Sequence, residues 1–204
     1  MIERCHLLPA ALSALGAAGA YVVAVLTEPG QWVDVQVFGW AQRLHVGLLG
    51  DALPLLARRV LPVLMALVAL GYGLRSLVRG RAVGAAACSA LVVGSTSLCW
   101  VLREHVLWRP HYGDQYSYVH NTFPSTHVAL VASLCAAVWL LAGSTSRCLS
   151  RALTVVVALA LLGNVVGHAH RPSDALGALL IVAAGALLVR WRVSPPSSAS
   201  GRLR

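Results

Sequence analysis

The chain has 204 residues, of which 58% are hydrophobic and only 11% charged, with a formal net charge of +9. A soluble domain of this size carries about 25% charged residues, so the composition, with a mean hydropathy of +0.73, excludes an ordinary soluble globular protein and places the chain in the membrane class. All 16 cationic residues are Arg.

In chain order, six apolar runs approach the 17–25 residues, roughly, that cross a bilayer. They are Leu7–Leu26, Val60–Val78, Ala82–Val101 with a helical continuation toward Trp108, Ser125–Ala142, Ala152–Gly167 and Ala175–Val189. The last is short, but Arg190 and Arg192 extend its reach by snorkelling. The first also has features of a signal peptide, with Arg4 ahead of an apolar stretch and Ala-Ala-Gly-Ala at 17–20; its length favours a retained span. Between Glu28 and Arg59, Trp32, Val35, Phe38 and Trp40 alternate with polar residues, which predicts an interfacial helix. The reading is all-α: one six-span bundle over residues 1–193, with a Pro/Ser-rich disordered tail at 194–204.

Six spans put both termini on one side. That side holds ten arginines and one acid; the other holds six arginines and six acids. The whole net charge thus falls on one face, which the positive-inside rule makes cytoplasmic. The basic character is a topology signal and not a nucleic-acid footprint. The five cysteines have no metal-ligand spacing. His105, His111 and His120 fall in an outer loop as solvated groups, and Tyr112, Tyr116 and Tyr118 suit an interfacial aromatic belt.

Three clusters converge on the outer face: Arg109-Pro110, Pro124-Ser125-Thr126-His127, and His168-Ala169-His170-Arg171-Pro172-Ser173-Asp174. Ionisable groups at membrane depth are costly and point to function. Together they supply what phosphoryl transfer needs. Arg109 offers a guanidinium fork. Ser125 and Thr126 open a helix whose free N–H groups and dipole favour an anion. His170, with Asp174 four residues on, suits a nucleophile oriented by a carboxylate. His127 suits a general acid. No metal cluster is visible, so neither metal nor cofactor is expected. His168 reads as an interface histidine.

These clusters resemble the three signatures of the type 2 phosphatidic acid phosphatase family: Lys-x6-Arg-Pro, Pro-Ser-Gly-His and Ser-Arg-x5-His-x3-Asp. The resemblance, to bacterial members above all, spans Val101 to Ala178 by motif and the whole chain by span count. It implies a six-span lipid phosphatase with His170 as nucleophile, Asp174 as its orienting acid and His127 as general acid. Arg109, Ser125 and the Thr126 amide would hold phosphate. Positions 102, 126 and 164 are among those that depart from the pattern. Thr126 replaces Gly, Leu102 replaces the Lys, and Asn164 replaces the Arg before the nucleophile. Arg103 stands one residue from the Lys position, and Arg103, Arg171 or His168 would have to compensate. The reaction implied is hydrolysis of a lipid phosphomonoester through a phosphohistidine, at the outer face of the plasma membrane. Candidate substrates are phosphatidic acid, phosphatidylglycerol phosphate and polyprenyl phosphate or diphosphate. The rivals are a phosphotransferase and a non-catalytic lipid-phosphate binder.

Overall fold

The computed structural model describes residues 4–113, 120–143 and 146–193. The tail at 194–204 and Tyr116 and Tyr118 lie outside the described residues. Within them the chain is all-helical, with no strand. Its α-helices are α1 (Arg4–Ala20), α2 (Glu28–Gln42), α3 (Gly47–Leu55), α4 (Leu61–Val78), α5 (Ala82–Val101), α6 (Thr126–Ala142), α7 (Arg147–Val166) and α8 (Pro172–Val193). Five continuous helical stretches are long and apolar enough to cross a membrane: Leu7–Val25, Leu49–Val78, Ala82–Val106, Arg147–Val166 and Pro172–Arg190. The sixth apolar helix, α6, is shorter at 17 residues.

The second stretch departs from the sequence reading. It begins at Leu49 and not at Val60, because α3 runs into α4 through a π-helical turn at Leu56–Val60. Pro62 has no N–H to give and its ring would clash with the carbonyl four residues back. Widening the preceding turn, so that Leu61 N–H bonds to Leu56 O, accommodates it without breaking the column. Two more π turns lie at Tyr21–Val25 and Leu102–Val106. All three sit at the same end of the bundle. Such turns concentrate at functional sites because they re-aim side chains.

α6 is the axis. Its Ala, Val, Ser and Cys side chains are buried on nearly every side, and it packs against α4, α5, α7 and α8. Two clusters fill its flanks. One joins Val131, Leu134 and Val138 to Met65 and Ala160. The other joins Val128, Ala129 and Ala132 to Cys99, Ala175 and Ala178. A helix buried all round must be apolar all round, which is why its sequence shows no amphipathic stripe. α1 closes the bundle against α8.

The outside is inverted relative to a soluble protein. Leu8, Leu15, Val63, Leu67, Val83 and Val93 point outward. Gln31, Asp34, Arg109, Asn164, Arg171 and Asp174 are buried. Of the segment at 28–59 expected as an interfacial helix, the first part is helical as α2 and the last part belongs to the Leu49–Val78 stretch; α2 shows the same inversion, with Gln31 and Asp34 buried while Trp32 and Trp40 are exposed. An apolar exterior around a polar interior is compatible with a multi-pass membrane protein.

Two glycines set how closely the helices approach the site. A Cβ on Gly177 would lie 2.2 Å from the Phe123 ring, so only glycine lets that ring cross α8. A Cβ on Gly163 would lie 2.4 Å from Ala57 Cβ and 2.5 Å from the Leu53 carbonyl oxygen. Backbone cannot yield as a side chain can. Gly163→Ala should therefore push α3 off α7 and destabilise the protein by about 1–3 kcal/mol, the usual cost of overpacking. Thermal unfolding in detergent checks this; an unchanged midpoint would show that α3 is not seated on α7.

Candidate functional site

The three motif clusters meet at the end of the bundle that carries the π turns. The chain segments that bring them there are fastened by long-range hydrogen bonds. Tyr21 Oη donates to Trp108 O (2.6 Å) and accepts from Trp108 N (3.1 Å). Gln31 Nε2 donates to Val25 O and Pro110 O. Tyr112 Oη donates to Leu26 O. Asn121 Nδ2 faces the carbonyls of Arg103, Leu107 and Phe123. The stretch after α5 is thereby tied to α1, α2 and the loop entering α6.

Asp174 is the centre. Its Oδ1 accepts from Arg109 Nη2 at 2.8 Å, an ion pair with both side chains shut from solvent. Its Oδ2 accepts from Thr122 Oγ1 (2.6 Å) and from Arg171 N (2.8 Å). The last bond is the reaching-back half of a capping box, an acid in the first turn bonding the N–H of the residue before the helix. Arg171 has no side-chain acceptor for the other half. Asp34 supplies it from α2, accepting from Ser173 N at 3.0 Å and from Ser173 Oγ. The α8 N-terminus is thus capped by two carboxylates, one from outside its own helix.

His170 keeps the expected partner at ion-pair distance and has a second one that is nearer: its Nδ1 is 3.6 Å from Asp174 Oδ2 and 3.2 Å from the Thr122 carbonyl. The carboxylate is occupied by Arg109, Thr122 and the α8 cap, so the main chain of Thr122 becomes the nearer partner. A carbonyl only accepts. Nδ1 therefore carries the hydrogen, which leaves the Nε2 lone pair free. His170 is itself placed by the end of α7, where Asn164 O accepts from both Ala169 N and His170 N. That end turns through His168 at φ +54°, a left-handed conformation that usually falls to glycine. The His168 ring rests edge-on against Phe38 and His45. It belongs to the scaffold.

His127 lies across from His170, ring centroids 6.5 Å apart. Its Nδ1 is buried with no hydrogen-bond partner among the described residues. Two donors of Arg109, Nε and Nη1, are in the same condition. Such orphaned polar atoms are costly in a folded protein, and a ligand with several acceptor oxygens would satisfy them. Ser125 caps α6, its Oγ accepting from Val128 N, while its own N–H donates to the Asp174 carbonyl. That bond ties the start of α6 to the start of α8.

Arg103 sits in the π turn at Leu102–Val106. Its Nη1 reaches Thr126 Oγ1 at 3.4 Å, while its Nε and Nη2 engage Glu104. The side chain at the Lys position, Leu102, lines an apolar cavity with Tyr21 and Phe123. Asn164 turns its amide back on its own helix, Nδ2 donating to Ala160 O, and contributes to the site through its main-chain carbonyl. Arg171 is fully buried. Of the solvated histidines, His105 stands on the helical continuation of α5 against Trp100 and not in a loop; all three are exposed.

Sequence reasoning missed four participants. Thr122 is an unremarkable residue three positions before Ser125. Asp34 is 139 residues from the serine it binds. Arg58 and Arg59 were legible only as outer-face charge. Together with Pro54, Leu55 and His127 they line a cavity of about 480 Å³.

Burial pushes the Asp34 carboxyl above its ordinary value of 3.8, against the lowering pull of its bonds to Ser173. A group whose folded pKa is raised contributes stability that is full below the unfolded value and is lost as pH rises through the folded one. The contribution of Asp34 to stability should therefore fall as pH rises above 3.8, and Asp34→Asn, which cannot ionise, should remove that downward component from the wild-type thermal-stability profile. Parallel pH profiles for the two proteins would contradict the assignment.

Comparison with protein-family models, curated proteins and solved structures finds no match to this chain.

Proposed function

We propose that this protein is a membrane lipid phosphatase that transfers phosphoryl to His170. One arrangement carries the reading: a histidine with Nδ1 held and Nε2 free, facing a second histidine, beside a buried guanidinium with two unpartnered donors. Those donors and the α6 N-terminus would hold the oxygens of a phosphomonoester. Nε2 would attack phosphorus as the bond to the lipid oxygen breaks. His127, protonated, would give its proton to that oxygen. In the second step His127 would take a proton from water as it attacks phosphorus, and the P–N bond would break to release phosphate. Asp174 would stabilise the imidazolium across 3.6 Å while holding Arg109 in place. Arg103, beside Thr126, would serve the phosphate where the Lys of the resembled pattern is missing. The apolar exterior supports a substrate that keeps its tail in the bilayer, and the one-sided charge supports a site at the non-cytoplasmic face, with both termini cytoplasmic.

Among the described residues no three His, Cys, Asp or Glu side chains group as metal ligands.

Purified protein in detergent, assayed for phosphate release from lipid phosphates, tests the reading. His170→Ala should abolish turnover. His127→Ala should cost far more on a lipid alkoxide than on p-nitrophenyl phosphate, whose leaving group needs little protonation. The gap should be about 10²–10⁴-fold, the range of general acid catalysis; equal losses would mean that His127 binds and does not donate a proton. For sidedness, Gly113→Cys in a protein with its five native cysteines replaced should react with an impermeant thiol reagent from the non-cytoplasmic side. Reaction from the cytoplasmic side alone would reverse the orientation.

A further inference from the structure

Resting on the phosphatase reading, we propose that the preferred substrate carries a second phosphate on the leaving-group side of the scissile bond, and that Arg58 and Arg59 bind it. The geometry orders the groups along a line of chemistry. His170 is the nucleophile, and His127 lies 6.5 Å from it, ring centre to ring centre. The 480 Å³ cavity opens on His127 and carries both arginines on its wall. A phosphorus under attack from His170 has its leaving oxygen at His127. Whatever that oxygen is attached to enters the cavity and meets two guanidinium groups.

The two arginines are available for this. Neither has a hydrogen-bond or ion-pair partner among the described residues. Both are exposed. Arg58 also lies within electrostatic reach of His127. Their backbone is not a loose interfacial stretch. They sit in the π turn at Leu56–Val60, and that turn is held at close quarters by Ala57 against Gly163 of α7. Adjacent residues on an α-helix diverge by about 100°; here both line one cavity.

A neutral alcohol leaving group, as from phosphatidic acid or a polyprenyl monophosphate, gains nothing from two cations. A leaving group that bears phosphate gains charge-assisted bonds. In a lipid diphosphate the terminal phosphorus is transferred to His170, the bridging P–O bond breaks, and the lipid monophosphate departs as an anion. Water then releases inorganic phosphate from His170. A phosphodiester lipid with a terminal phosphomonoester has the same chemistry with a glycerol spacer.

The test compares kcat/KM on four detergent-solubilised substrates: farnesyl diphosphate, farnesyl phosphate, phosphatidylglycerol phosphate and phosphatidic acid. Wild type should favour the first over the second, or the third over the fourth. Which pair separates identifies whether the second phosphate is directly bridged or spaced by glycerol. In Arg58→Gln/Arg59→Gln the preference ratio collapses by about 10- to 150-fold, the range for charge-assisted bonds. Arg58→Lys/Arg59→Lys should keep most of the ratio, which separates lost charge from lost folding. If wild type shows no preference, or the Gln variant loses activity equally on all four, the arginines are bilayer anchors and the inference falls while the phosphatase reading stands. If no substrate releases phosphate, both fall.

Discussion

The buried ion pair between Arg109 and Asp174 is the interaction on which the rest of the site depends. It joins the stretch after α5 to the first turn of α8, 65 positions apart, and it does so where neither charge meets water. A buried pair is weak evidence of net stability, since desolvation offsets much of the attraction; removing one member is severe, because the other is left uncompensated. The structure surrounds the pair accordingly. Thr122 and the Arg171 amide fill the remaining capacity of the carboxylate, and Thr122 passes the constraint on to His170 through its carbonyl. One carboxylate therefore fixes the cation, the helix terminus and, at one remove, His170.

The second constraint is how chain ends are held where no regular helix can run. α8 begins with a residue that lacks a capping side chain, and Asp34 reaches in from α2. α7 ends on a left-handed histidine propped by the aromatic rings of α2 and its following loop. Gln42 and His45 extend the same support to the last carbonyls of α7. α2 is thus less an amphipathic strap than a bracket. Its polar face is spent on helix ends, and its tryptophans are left to face outward.

What the residues revealed in advance follows from physical range. Apolar runs announce themselves within a single stretch of chain, so the six helices were legible. Motif spacing is also local, so His127, His170, Asp174 and Arg109 could be named and indeed come together. The start of the second long helix was misplaced by about ten residues, because Arg58 and Arg59 read as a polar boundary while the helix continues through them in a widened turn. Counting by α-helical turns likewise does not foresee the π turn that carries Arg103. Thr122 and Asp34 act through partners 52 and 139 positions away. Nothing local distinguishes them from ordinary loop and helix residues.

The central claim is that phosphoryl is carried by His170, and the covalent intermediate itself is the most direct measure of it. Protein mixed with a terminally ³²P-labelled lipid phosphate and quenched within the first turnover should hold label that survives alkali and is lost in acid, as a phosphoramidate does. The label should map to the peptide containing His170 and be absent from His170→Ala. Label that is instead lost in alkali, or that persists in the variant, would assign the phosphoryl group to another residue and contradict the account.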